Sequence, residues 1–144
     1  MSAVRRTVRR PWHLWVVAVL AFFWNAAGAF TIMMAQAGTL YDLEPGEAAY
    51  YAAQPGWFVV LTDLNLVAAI IAAVLLLFRR RAAIWLFAFS LAAIVVTNGY
   101  ELAKGTSRVL LGRGALVVTI VIVLIAVLEV VYARAVTAPA ADNA

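Results

Sequence analysis

Phe78-Arg79-Arg80-Arg81-Ala82 decides the fold. The three arginines stand between two long apolar runs, Trp57–Phe78 and Ala82–Tyr100. Apolar residues cover nearly every face of both runs, which rules out ordinary half-buried helices of a water-soluble core. The stretch reads as a tight hairpin between two membrane spans. Its charge says which side of the bilayer the hairpin faces.

The composition agrees. The chain has 144 residues, 67% hydrophobic and only 12% charged, where soluble domains run nearer half and a quarter. That assigns it to the membrane class, and its length suits a single integral domain over 1–144. There is no cysteine, hence no disulfide framework, thiolate metal site or cysteine nucleophile. The net charge of +4 does not point to nucleic acid, because the basic residues flank apolar spans.

Outward from the hairpin, four spans are expected, at about 14–35, 57–78, 82–100 and 115–132, joined as an all-α transmembrane four-helix bundle. The first follows a basic arm carrying Arg5, Arg6, Arg9 and Arg10, and opens at Trp12, His13 and Trp15. Indole rings favour the headgroup level, so these are interface anchors. About 22 uncharged residues at 1.5 Å each span roughly 33 Å, enough for the hydrocarbon core. A basic start, an apolar stretch and Ala27-Gly28-Ala29 also fit a cleavable secretory signal. The apolar pattern runs on through Met34, past that site, so an uncleaved span is preferred.

The first loop, from Ala37 to Gly56, holds Asp42, Glu44 and Glu47 and no Lys or Arg. Leu43–Tyr50 suits a short interfacial helix with Pro45 in its first turn. Trp57 anchors the entry to the second span, as Arg79, Arg80 and Arg81 anchor its exit. The second loop, Glu101–Gly114, carries Lys104, Arg108 and Arg113, and the tail from Ala133 is expected to fray. Eight of the eleven basic residues fall on the side of the arm, the hairpin and the tail. The positive-inside rule then puts both termini in the cytoplasm.

Ionisable residues inside a span are costly and are functional candidates by default. The candidate intramembrane polar site comprises Asn25, Asp63, Asn65, Ser90, Thr97, Glu101 and Glu129. Asn25 shares a face with Ala18, Ala21, Gly28 and Ala29, a pattern for close helix contact with an interhelical hydrogen bond, against a ligand-facing alternative. Asp63 and Asn65 lie about 200° apart on their helix, so only one can face the bundle interior. Ser90, Thr97 and Glu101 form one stripe that, with Asp63, Thr31 and Gln36, would line a pocket open to the outside; otherwise these groups satisfy one another. For Glu129 a salt bridge to Arg79, Arg134 or His13 is expected, with a proton relay through His13 as the alternative. No phosphate loop, metal cluster or Ser-His-Asp set is present, so no enzyme, cofactor or metal is expected.

Pro11-Trp12-His13-Leu14-Trp15-Val16-Val17, Phe23-Trp24-Asn25-Ala26-Ala27-Gly28-Ala29 and Pro55-Gly56-Trp57 resemble a family of small four-span proteobacterial inner-membrane proteins, many of them labelled sugar transporters. The resemblance covers most of the chain and brings no functional residues with it. Family members often carry an acidic-aromatic pair after the Gly-Ala step, where this chain has Phe30-Thr31. Two roles follow as expectations. One is a structural or accessory bundle packing with itself or a larger membrane complex. The other is a small-solute, sugar-type transporter working as an oligomer.

Overall fold

A computed structural model describes residues 12–41, 45–105 and 112–137. The basic arm, Asp42 to Glu44, Arg108 and the last seven residues lie outside them, so the expectations for those segments are left where the sequence puts them. The described residues form five helices and no strand: α1 (Trp12–Gln36), α2 (Pro45–Ala52), α3 (Gly56–Leu77), α4 (Ala82–Lys104) and α5 (Gly112–Thr137). Four of them, all but α2, contain at least 22 residues of span-forming composition. The chain is an all-helical, multi-pass integral membrane protein.

The helices outrun the apolar spans at several ends. Helix α4, the third span, does not stop at Tyr100 but continues through Glu101, Leu102, Ala103 and Lys104, all good helix formers. It stops at Gly105, whose φ of +70° is the left-handed conformation that glycine adopts without strain. The last helix reaches Thr137, five residues beyond the expected end, and Thr137 Oγ1 bonds back to Ala133 O at 2.7 Å. The expected fraying therefore does not begin at Ala133.

The arginine turn closes α3 with a Schellman motif. Arg80 N–H donates to Leu75 O at 3.0 Å and Arg79 N–H to Leu76 O at 2.9 Å. The left-handed position is filled by Arg79, at φ +52°, where glycine is usual. Its side chain crosses to α5, with Nε and Nη2 donating to Val136 O at 3.0 and 2.8 Å. A helix end leaves carbonyls without intrahelical partners, and a guanidinium there also suits the negative end of the helix dipole.

Helix α3 packs on α4 and on α1, and α4 packs on α5. Among the described residues, twelve of the nineteen buried apolar ones are alanine, including Ala18, Ala21, Ala72, Ala73, Ala83 and Ala133. Small side chains let helix backbones approach, which is how helices associate where lipid is as apolar as leucine. The larger residues turn outward: Leu20, Phe23, Phe30, Val60, Val95, Val117 and Leu128 are all exposed. An outward apolar surface of this extent fits hydrocarbon surroundings.

The main core lies at one end of the bundle. Leu14, Ala18, Ala72, Leu76, Ala83, Phe87, Val130 and Ala133 pack together beside the arginine turn. At the far end α5 does not close on its neighbours. Among its residues whose side chains are described, the buried ones are Ala126, Glu129, Val130, Ala133 and Thr137, all in its last twelve positions. From Leu116 to Ile125 no side chain is buried.

Candidate functional site

The seven candidate polar residues do not form one site. They fall into a bonded interior, a rim, and an orphaned set near the far end.

In the interior, two pairs bridge helices. Asn25 Nδ2 donates to Glu129 Oε1 at 2.8 Å and to Ala21 O at 2.9 Å, which uses both amide hydrogens. Glu129 is only 9% exposed. Its partner is thus an amide of α1 and not the cation expected from the sequence. Arg79 is committed to Val136 O, and Arg134 is exposed. His13 bonds elsewhere too: its Nδ1 and the Tyr132 hydroxyl share a hydrogen bond of 2.7 Å. Glu129 and Tyr132 are one helical turn apart, so both ties join the same face of α5 to α1.

The second pair joins α3 and α4. Ser90 Oγ donates to Asn65 Oδ1, with Ser90 2% and Asn65 8% exposed. Of the two polar residues on opposite sides of α3, Asn65 therefore faces the interior. Thr97 is buried but bonds only its own helix, to Ala93 O at 2.9 Å. Thr31 does the same to Ala27 O at 3.0 Å. The Ser90–Thr97–Glu101 stripe does not line one pocket: its first two members are spent inside the bundle, and Glu101 alone reaches the rim.

The orphaned set was not singled out as a group by its sequence positions. Gln36 Nε2, Gln54 Oε1, Thr62 Oγ1 and Asp63 Oδ1 are buried atoms with no hydrogen-bond partner. They belong to the end of α1, the chain after α2 and the second turn of α3, all toward the far end. Leaving such a group unmade costs about 1–3 kcal/mol. Among the described residues, the arginine end thus satisfies its buried polar groups, and the far end does not.

The far end also holds a cavity of about 240 Å³, lined by Tyr50, Gln54, Phe58, Tyr100, Glu101 and Lys104 among others. Trp57 packs edge-on against Tyr100 at 5.0 Å between ring centres, and Phe58 lies 5.9 Å from the same ring. Trp57, placed as an interface anchor, is therefore also a wall of this aromatic cluster. Trp12 and Trp15 are exposed at the opposite end, as are Arg80 and Arg81. Among the described residues no three His, Cys, Asp or Glu side chains group as metal ligands.

No protein-family model, no curated protein and no solved structure matches the chain.

Proposed function

We propose that the protein is a non-enzymatic assembly component of the bacterial inner membrane: a four-helix bundle, both termini cytoplasmic, that packs with itself or with a larger membrane complex. One observation carries this reading. The bundle is closed at its arginine end and open at the other, where α5 buries no side chain from Leu116 to Ile125. A helix from a second copy or a partner fits beside that half of α5. The charge asymmetry along the chain supports the orientation.

The chain has no cysteine, so single cysteines can be introduced without removing any. Val117→Cys and Leu124→Cys, both exposed on one face of α5, should cross-link in membranes, while Leu20→Cys on α1 should not. Uniform cross-linking at all three positions, or none at any, would count against assembly through α5. Reporter fusions at either terminus check the orientation.

A second reading, a small-solute transporter of the sugar type working as an oligomer, is favoured by the far-end cavity. It is the weaker of the two. Asn65 and Ser90, the buried polar residues deeper in the α3–α4 interface, are bonded to each other.

A further inference from the structure

We infer that the far-end cavity is a binding site for a small zwitterion, a group carrying an ammonium and an acidic anion a few ångströms apart. This goes beyond the assembly reading and does not depend on it.

The argument starts from Glu101 and Lys104. They stand one turn apart on the last turns of α4 and both line the cavity. Residues three apart on a helix are neighbours, about 5–6 Å between Cβ atoms, and an acid and a base so placed normally pair. Here Glu101 has no hydrogen-bond or ion-pair partner among the described residues, and the Lys104 ammonium sits over the Tyr100 ring, 5.7 Å from its centre. Among the described residues the site therefore presents a carboxylate without a partner and, one turn on, an ammonium over an aromatic ring.

The walls sort the ligands. Tyr50, Phe58 and Tyr100 line the cavity with aromatic rings, which attract cations, and Glu101 adds a carboxylate. Lys104 already stands at the aromatic wall, so a simple cation meets repulsion there, and a simple anion meets Glu101. A zwitterion satisfies both: its ammonium goes to Glu101 and the rings, its anion to Lys104. Gln54 also lines the cavity. A volume of about 240 Å³ equals the liquid volume of roughly eight waters, which suits a head group or a free zwitterion.

Two sources share this chemistry: a soluble zwitterion, and the phosphoethanolamine head group of a membrane lipid. The test uses the full-length purified protein. In detergent, thermal stability is followed with phosphoethanolamine and glycine betaine, and with choline, glycerol phosphate and glucose as cation, anion and neutral controls. In parallel, the protein is compared in nanodiscs of phosphatidylethanolamine and of phosphatidylglycerol. The expected result is stabilisation by the zwitterions alone in detergent, or by the phosphatidylethanolamine discs alone. Glu101→Gln and Lys104→Gln should each weaken the effect about tenfold or more. Lys104→Gln should in addition gain a response to choline, a change that loss of folding cannot mimic. A shift with glucose equal to that with zwitterions, stabilisation indifferent to both substitutions, or no shift in either arm would overturn the assignment. A failure here leaves the α5 cross-links unaffected, and the reverse also holds.

Discussion

Arg79 is held in a left-handed conformation and at the same time bonds the last turn of another helix. Substitution can separate the two. Both side-chain bonds go to Val136 O, at 3.0 and 2.8 Å. Hydrogen bonds from a charged donor contribute about 1.5–3 kcal/mol, and the partial exposure of Arg79 argues for the low end of that range. Its φ of +52° works the other way. A non-glycine residue there costs about 1–2 kcal/mol, and glycine avoids that while adding about 0.5–1 kcal/mol of chain entropy to lose on folding. Arg79→Ala loses the bonds and keeps the strain, so it should cost about 1.5–2 kcal/mol. Arg79→Gly loses the same bonds but relaxes the backbone, and should be milder by about 0.5–1 kcal/mol. Arg79→Lys should fall near Arg79→Gly, since an ammonium can keep one bond but not the fork. Reversible unfolding in mixed micelles of increasing SDS, followed by far-UV circular dichroism, would rank the three. If glycine proves as damaging as alanine, the strain argument fails. If alanine costs nothing, the tie to Val136 has no energetic value.

Other outcomes follow from the same geometry. A double-mutant cycle on Asn25→Ala and Glu129→Ala should give a coupling of about 0.6 kcal/mol and no more than about 1.7, the range found for hydrogen bonds between membrane helices; a null coupling would mean the bond is incidental. Gly28→Ala should leave stability unchanged, because an added Cβ would meet Leu66 Cδ2 at 4.0 Å, an ordinary contact; a large loss in thermal unfolding would place the α1–α3 interface closer than described. Gly105→Ala should lower stability by about 1 kcal/mol in the same assay, since space is free around it but its φ is +70°. At α2, burial and then the nearby Glu47 charge push the Tyr51 phenol above its ordinary value of 10.0. The folded state thus holds that proton more tightly, so Tyr51's contribution is complete below pH 10 and is lost as pH rises beyond it. Ultraviolet titration of Tyr51→Phe against wild type should remove a phenol that ionises above pH 10.

Much of the architecture is legible in the sequence because its signals are local. Long uncharged runs and the arginine triplet define four helices and the hairpin without reference to anything distant. The polar contacts are less legible because they are not local. Periodicity says that Asp63 and Asn65 face opposite ways, but only the position of Ser90 on α4 decides that Asn65 turns inward. Glu129 suggests a cation from its charge, whereas its partner, Asn25, lies 104 residues away on α1. The Schellman turn at Arg79 escapes a reading that looks for glycine at left-handed positions. The openness of α5 is invisible too, since Leu116–Ile125 is as apolar as any buried helix and lipid accepts what a core would.

The three ties that reach α5 have a bearing on how the chain is made. His13, Asn25 and Arg79 are synthesised 119, 104 and 57 residues ahead of the groups they bond. Until the final helix enters the bilayer, a polar amide and an arginine of the earlier spans stand without those partners. The final helix thus completes the earlier ones as well as joining them. A chain cut short before Ala126 has three apolar spans and leaves the Asn25 amide and the Arg79 guanidinium without the partners that the last helix brings them.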